Sequence, residues 1–303
     1  MIKVSICIPV FNFDVKPLLQ TLLAEIKTYS IGAEIILIDD GSSDDIARSN
    51  EQSANELSVT YIRLEKNIGR SAIRNLFMEY AQADQLLFLD CDVMPRSKNF
   101  IQNYLNEAGK RVVCGGICYP DNVDEDKKLH WKYGTLREEM KFDKRNLRPY
   151  HHFLTGNFLV PKEILYQIRF NEEIKGYGYE DTLFAIELEQ NRIELRHADL
   201  PVEHLKLDTA TEFISKTKNA VRNLFLLYQM EQYKKLLPRY VKLIKLYETL
   251  SKFGLTKAGF FFYKTKGEKI LSRLRNENTN LRLLDFYKLL FFISLMKVPA
   301  KRD

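Results

Sequence analysis

Two carboxylates one residue apart, Asp90 and Asp92, close the apolar run Gln85-Leu86-Leu87-Phe88-Leu89. A buried strand cannot keep two such charges side by side unless something neutralises them, so the pair belongs at the strand's solvent end, facing a cation. Acid-any-acid at a strand terminus suits a hard divalent metal that keeps open positions for phosphate oxygens, the plainer alternative being a solvated turn. Two more apolar runs end in polar tips, Phe11-Asn12 after residues 2–10 and Asp39-Asp40-Gly41-Ser42-Ser43 after residues 34–38.

The elements that must hold these tips are legible from periodicity. Strands are predicted over 2–10, 34–38, 59–64, 85–89, 112–119, 153–161 and 195–204, the last ending in Glu203-His204. Between them, residues 15–29 carry Leu18, Leu19, Leu22, Leu23 and Ile26 at helical spacing after Pro17. The cluster at 42–45 is placed to cap a further helix, Asn67-Ile68-Gly69-Arg70-Ser71 opens another running to about Ala81, and 180–190 forms a third. This alternation predicts an α/β fold with a mainly parallel central sheet flanked by helices. Ligands in such sheets bind beyond the carboxyl ends of the strands, so the three tips face one crevice and make a nucleotide site.

No GxxxxGK[ST] occurs, and Gly176-Tyr177-Gly178 lacks both a third glycine and a preceding strand. The phosphates are therefore expected to be held by metal and side chains. The charged stretch 121–148 is predicted to be helix plus a flexible loop that orders over bound substrate. His151-His152 is no metal pair, because neighbours on a strand point to opposite faces.

The chain has 303 residues, 45% of them apolar, enough for one large core and an appendage. Cys7, Cys91, Cys114 and Cys118 form no CxxC pairing and read as reduced core cysteines. From residue 215 onward 20 Lys and Arg stand against 6 Asp and Glu, a balance of +14, so the first 214 residues carry −8 of the total of +6. Strand patterns give out near residue 211, and helical patterns fill 212–236, 238–252 and 268–296, which predicts a catalytic domain over 1–211 and a basic helical extension over 212–303. Arg282, Asp285 and Lys288 interrupt the apolar approach to 289–296, so no transmembrane span is expected. The opening residues read directly as a strand with no basic leader, which predicts a cytoplasmic protein.

In the extension, Lys216, Lys218, Arg222, Lys234, Lys235, Arg239, Lys242 and Lys245 run through helices rich in Leu, Phe and Tyr. Such charge is either a solvated face or a peripheral contact with the anionic inner face of a membrane; nucleic acid is disfavoured because no binding module accompanies it. The aromatic faces would equally suit a dimer.

Five motifs in order resemble the family 2 glycosyltransferases of GT-A fold. They are Val4-Ser5-Ile6-Cys7-Ile8-Pro9-Val10-Phe11-Asn12, Ile38-Asp39-Asp40-Gly41-Ser42-Ser43-Asp44, Asn67-Ile68-Gly69-Arg70 with Arg74-Asn75, Asp90-Cys91-Asp92 as the metal motif, and Gly176-Tyr177-Gly178-Tyr179-Glu180-Asp181 on the acceptor side. The resemblance implies an inverting enzyme that moves a sugar from a nucleoside-diphosphate donor, with uridine the expected base, to a hydroxyl of a glycan or lipid-linked glycan in surface polysaccharide synthesis. It implies Pro9, Val10 and Phe11 lining the base pocket, Asp40 on the uracil ring (or, on its own residues, an acceptor shaping the loop), and Arg70 and Asp90 on the nucleotide and sugar. Asp92 and His204 would hold Mn²⁺ or Mg²⁺, and Gly156-Asn157 would let the donor sugar approach. Asp181 would be the general base, with Glu180 positioning the acceptor or sharing that role. Tyr177 or Tyr179 stands where relatives often have Trp, which alters the sugar-stacking surface. A non-catalytic nucleotide-sugar-binding or scaffold protein is the rival reading, and a sugar nucleotidyltransferase a weaker one, since Phe11-Asn12-Phe13-Asp14 is not the basic Gly-rich loop that chemistry uses.

Overall fold

Val4–Val10 (β1) is apolar at nearly every position and buried on both faces, as a central parallel strand must be. The computed structural model describes residues 2–275 and 280–297. After β1 come β2 (Ala33–Asp39), β3 (Thr60–Arg63), β4 (Gln85–Leu89), β5 (Val93–Pro95), β6 (Val112–Cys114), β7 (Ile117–Cys118), β8 (Asn157–Pro161), β9 (Leu195–His197) and β10 (Val202–His204). Among the described residues these ten strands form two sheets, one ordered β3-β2-β1-β4-β8-β6-β9 and one ordered β5-β10-β7. In the larger sheet β8 runs antiparallel to both neighbours and the remaining pairings are parallel. The sheet is therefore mainly parallel, as the sequence predicts.

The first helices are α1 (Lys16–Tyr29), α2 (Asp44–Glu56), α3 (Arg70–Tyr80), α4 (Phe100–Glu107), α5 (Lys128–Tyr133), α6 (Phe142–Asn146), α7 (Lys162–Gln167) and α8 (Glu180–Gln190). Side chains alternate across the sheet and build two cores. Val4, Ile6, Ile8, Val10, Leu87 and Leu89 face one core, which includes Leu18, Leu19 and Leu22 of α1. Cys7, Leu86, Phe88, Phe158 and Val160 face the other, with Ile73, Phe77 and Met78 of α3. By this parity residue 90 emerges on the α3 side.

The chain divides into two compact units. The first comprises residues up to Pro120, Thr135–Lys175 and Glu180–Lys206, and holds both sheets. The second comprises Asp121–Gly134, Gly176–Tyr179 and the residues from Leu207 onward. It contains α5 together with α9 (Ala210–Gln229), α10 (Glu231–Lys234), α11 (Leu237–Tyr240), α12 (Lys242–Lys252), α13 (Thr256–Arg275) and α14 (Leu281–Lys297). A Thr209–Glu212 capping box starts α9, and the rings of Tyr228, Tyr247 and Phe292 meet edge to face, with Tyr247 and Phe292 centred 5.0 Å apart.

Several predicted elements are divided. The strand expected over 112–119 breaks at Gly115-Gly116 into β6 and β7, which join different sheets. Gly116 sits at φ +90, and a Cβ there would lie 2.6 Å from the buried Arg145 guanidinium; one on Gly115 would collide with the Tyr104 hydroxyl and the Leu200 carbonyl. The strand expected over 195–204 likewise becomes β9 in the large sheet and β10 in the small one. The strand at 153–161 begins only at Asn157. Ser43 is the N-cap of α2 but makes no side-chain cap bond; Asp44 and Asp45 supply the first-turn charge instead. Residues 121–148, expected to include a flexible loop, are largely helical, and Arg145 is buried there, donating to the carbonyls of Gly115 (2.9 Å) and Ala198 (3.0 Å). The helix expected over 212–236 ends at Gln229, where Met230 turns extended. The one expected over 268–296 is the end of α13 and the whole of α14, with 276–279 outside the described residues. All four cysteines are free thiols, but only Cys7 and Cys114 lie in the core as the sequence predicts, Cys91 and Cys118 being half-buried.

Candidate active site

The loops after β1 and β2 are laced together by their own polar side chains. Asn12, in the left-handed region at φ +49, donates its backbone N–H to the Ser42 hydroxyl (2.8 Å) while its side-chain oxygen accepts from the Ser43 N–H (2.9 Å). Buried Asp39 accepts from the Ser42 N–H (2.7 Å) and the Tyr61 hydroxyl (2.9 Å). Asp40 is also buried, and its carboxylate accepts from the N–H groups of Ile68 (2.6 Å) and Gly69 (3.2 Å), immediately before α3. Burial pushes the Asp40 carboxyl upward against those two bonds. Asp40 thus shapes the loop here, with one further lone pair on each oxygen.

At the same tip Phe11 is 48% exposed and Pro9 half-buried. Val10 departs from the expected base pocket. Its side chain lies in the core with Ile8 and Val4, because strand alternation turns it to the face opposite Pro9, and its carbonyl accepts the Asp40 N–H (2.8 Å).

Helix α3 brings two arginines to the acidic tip of β4. Arg70 and Arg74, four residues apart, share a helix face. Arg74 is 1% exposed, donating from Nη2 to Asp90 Oδ1 (2.8 Å) and from Nη1 to the Arg70 carbonyl (3.1 Å). Burial drives the Asp90 carboxyl upward, but Arg74, Arg70 and His204 together outweigh it and hold it below the usual carboxylate range. Arg70 reaches Glu180 (Nη1 to Oε1, 3.4 Å), and Glu180 is itself buried.

The small sheet explains how Asp92 meets His204. β5 starts one residue after Asp92 and pairs antiparallel with β10 in the register Val93↔His204, and the Leu205 N–H donates to the Asp92 carbonyl (2.8 Å). Asp92 Oδ2 lies 3.9 Å from His204 Nε2. The Tyr119 ring stacks on the imidazole at 5.8 Å, and its hydroxyl donates to Glu138. Among the described residues no group of three or more His, Cys, Asp or Glu is placed to hold a metal. An oxygen and an imidazole nitrogen 3.9 Å apart lie within the span of two metal–ligand bonds of about 2.1 Å, so one cation can reach both and take the rest of its shell from phosphate and water. Burial pushes the Asp92 carboxyl up, His204 pulling against it and Asp90 adding to it. Burial also pushes the Cys91 thiol up to about 12, so it offers no thiolate.

Asp181 stands in the first turn of α8, accepting from the Thr182 N–H (2.6 Å). Burial, then the charge of Glu180, pushes its carboxyl up to about 7, overcoming the helix N-terminus that the sequence alone would credit with keeping it low. Tyr177 and Tyr179 belong to the second unit, where the Asn223 amide donates to the carbonyls of Tyr177 (3.1 Å) and Gly178 (3.2 Å).

Asn157 departs from the expected donor contact. It is 2% exposed, its oxygen accepts from the Tyr104 hydroxyl (2.6 Å), and its amide donates to the carbonyls of Gly116 and Leu200 (2.8 Å each). Those bonds pin the turn after β6 and leave its amide spent. The neighbouring Gly156 carbonyl accepts from the Asp90 N–H (3.0 Å), tying this turn to the acidic tip. Arg74 stands in a sequence motif, and its role as the buried partner of Asp90 emerges only from the structure. A charge set within the apolar stripe Ile73, Phe77 and Met78 was the available signal. Tyr119 and Glu138 carry no such signal.

A family model described as Glycosyl transferase family 2 matches residues 5–169, more than half of the chain. The chain is 28% identical over 223 residues to the chondroitin synthase of Pasteurella multocida (strain Pm70), covering 62% of this chain but 23% of that protein, so it spans less than a quarter of that relative. Among solved structures it resembles the mannosyltransferase PcManGT from Pyrobaculum calidifontis in complex with GDP-Man and Mn²⁺, at TM-score 0.57 and 13% identity over 99% of this chain and 88% of the other. It also resembles glucosyl-3-phosphoglycerate synthase from Mycobacterium tuberculosis in complex with Mg²⁺ and uridine-diphosphate, at TM-score 0.52 and 16% identity over 74% and 78%. At these identities the two structures support the GT-A fold.

Proposed function

The chain belongs to glycosyl transferase family 2, and from that premise we propose an inverting transferase that moves a sugar from a uridine-diphosphate donor to a hydroxyl of a glycan or lipid-linked glycan in surface polysaccharide synthesis. The observation that carries this reading is the linkage of Asp92 and His204, Asp90 and Arg74, and Arg70 and Glu180 beside a carboxyl at about 7. Similarity to a chondroitin synthase supports a growing polysaccharide as acceptor. A similar fold that holds uridine-diphosphate and Mg²⁺ supports the donor and the cation.

Asp181 takes the proton of the acceptor hydroxyl as that oxygen bonds to the anomeric carbon. The bond from that carbon to the diphosphate breaks with its electron pair, and attack from the opposite face inverts the centre. A base near neutrality combines a large ionised fraction with useful basicity at physiological pH. Arg70, steadied by buried Glu180, faces the charge that builds on the diphosphate. Arg74 keeps Asp90 ionised as an acceptor for hydroxyls of the donor, and Pro9 and Phe11 flank the base. Asp92 and His204 would hold Mn²⁺ or Mg²⁺, which when bound supplies Lewis-acid charge for the leaving group. A lipid-linked acceptor places the enzyme at an anionic membrane face, met through its basic helices; no described helix is long and apolar enough to cross a membrane.

The test is transfer from a panel of uridine-diphosphate sugars to glycan primers with Mn²⁺ or Mg²⁺, for the parent and Asp181→Asn. Asp181→Asn is expected to keep the thermal shift induced by uridine-diphosphate and metal while losing turnover. Equal turnover removes Asp181 from the mechanism, and no transfer from any donor by the parent favours a non-catalytic binder.

A further inference from the structure

At least four of the eight cations singled out in the sequence are engaged inside the second unit. Lys216 pairs with Asp208 (2.7 Å), Lys234 with Glu231 (3.3 Å), and Lys218 and Arg222 each lie 5.5 Å from the centre of the Phe291 ring. A different surface stands out. Between Glu248 and Glu268 the chain has four lysines, five aromatic residues and no carboxylate. Phe253 is 75% exposed there, Leu255 50%, Phe261 70% and Phe262 41%. Single exposed apolar side chains are ordinary, but four large ones within ten positions are not.

Phe253 and Leu255 flank Gly254 in the turn between α12 and α13, and Phe261 follows five residues, about 7.5 Å, along α13 from its first residue. Thr256, Gly267, Ile270, Leu271 and Leu274 form the buried side of α13, so helical spacing turns Phe261 outward with Ala258 and Thr265. Lys252, Lys257, Lys264 and Lys266 are all exposed around these rings. Aromatic tips ringed by lysine are the composition of a segment that lies in a lipid interface.

We propose that the turn at 253–255 and the outer face of α13 seat this protein on an anionic lipid bilayer, rings among the headgroups and lysines on the lipid phosphates. This rests on the membrane reading above and narrows it to one face. A second copy docked here by two-fold symmetry would set four lysines against the same four, with no acid between Glu248 and Glu268 to offset them.

The full chain, Phe253→Ser/Phe261→Ser and Lys257→Gln/Lys264→Gln are each sedimented with vesicles of phosphatidylcholine alone or mixed equally with phosphatidylglycerol, with thermal scans and gel filtration in parallel. The parent is expected to bind only the anionic vesicles and to release with salt, and each double variant to bind about tenfold or more weakly with its melting temperature kept. Undiminished binding by both variants overturns the assignment of this face and leaves the broader membrane reading standing. Failure of the parent to bind sinks both. A parent dimer that the Phe variant converts to monomer shows the face to be a self-association surface and overturns the proposal.

Discussion

Asp181 and Arg74 show how much a single position depends on what buries it. A base at about 7 predicts that kcat/KM rises about tenfold per pH unit below neutrality and levels above it, and that Asp181→Asn loses on the order of 10² to 10⁴ of turnover. The same shift has a sign in stability. The folded state holds this carboxyl proton more tightly than the unfolded chain, so its contribution is present at low pH and is lost as pH rises through about 7. Asp181→Asn is therefore expected to gain melting temperature relative to the parent between about pH 4 and 7 and to hold that gain above, as paired thermal scans would show. Arg74→Met strands Asp90 without its buried partner and is expected to cost about 3 kcal/mol in urea denaturation. Arg74→Lys keeps a charge but cannot reach both Asp90 and the Arg70 carbonyl as the planar fork does, so it should recover stability only in part.

At the scale of elements, the decisive places are two breaks. Gly116→Ala would force a side chain into φ +90 against the Arg145 guanidinium, and a loss of about 2 kcal/mol or more is expected in denaturant titrations. β1, β2 and β4 were legible as unbroken apolar runs, since a strand buried on both faces leaves that mark. The breaks at 115–116 and 198–201 carry local signals, Gly115-Gly116 and Pro201, but which sheet each half joins is decided only by its partner strands. Arg145 and Asn157 share this cause. Each is polar and buried because carbonyls distant in sequence converge on it, and periodicity has no term for that.

For the whole molecule, the second unit draws on residues 121–134 and 176–179 as well as the C-terminal helices. Ending the chain at residue 211 would remove Phe213, on which His130 stacks at 4.6 Å, and Asn223, which holds the carbonyls of Tyr177 and Gly178. The shortened chain is expected to lose cooperative unfolding and to aggregate in gel filtration; an unchanged melting temperature would show that α5 stands without α9. By itself the sequence determined the mainly parallel sheet, the acidic tip at 90–92, the arginine-bearing helix before it and the basic helical tail, because each is written in local residue order. Tertiary structure alone decided that Asp92 meets His204 across a small second sheet, that Asn157 turns inward, and that Asp181 loses enough water to titrate near 7. Those outcomes depend on which distant segments pack together, and pairing between residues as far apart as Asp92 and His204 leaves no imprint on local spacing.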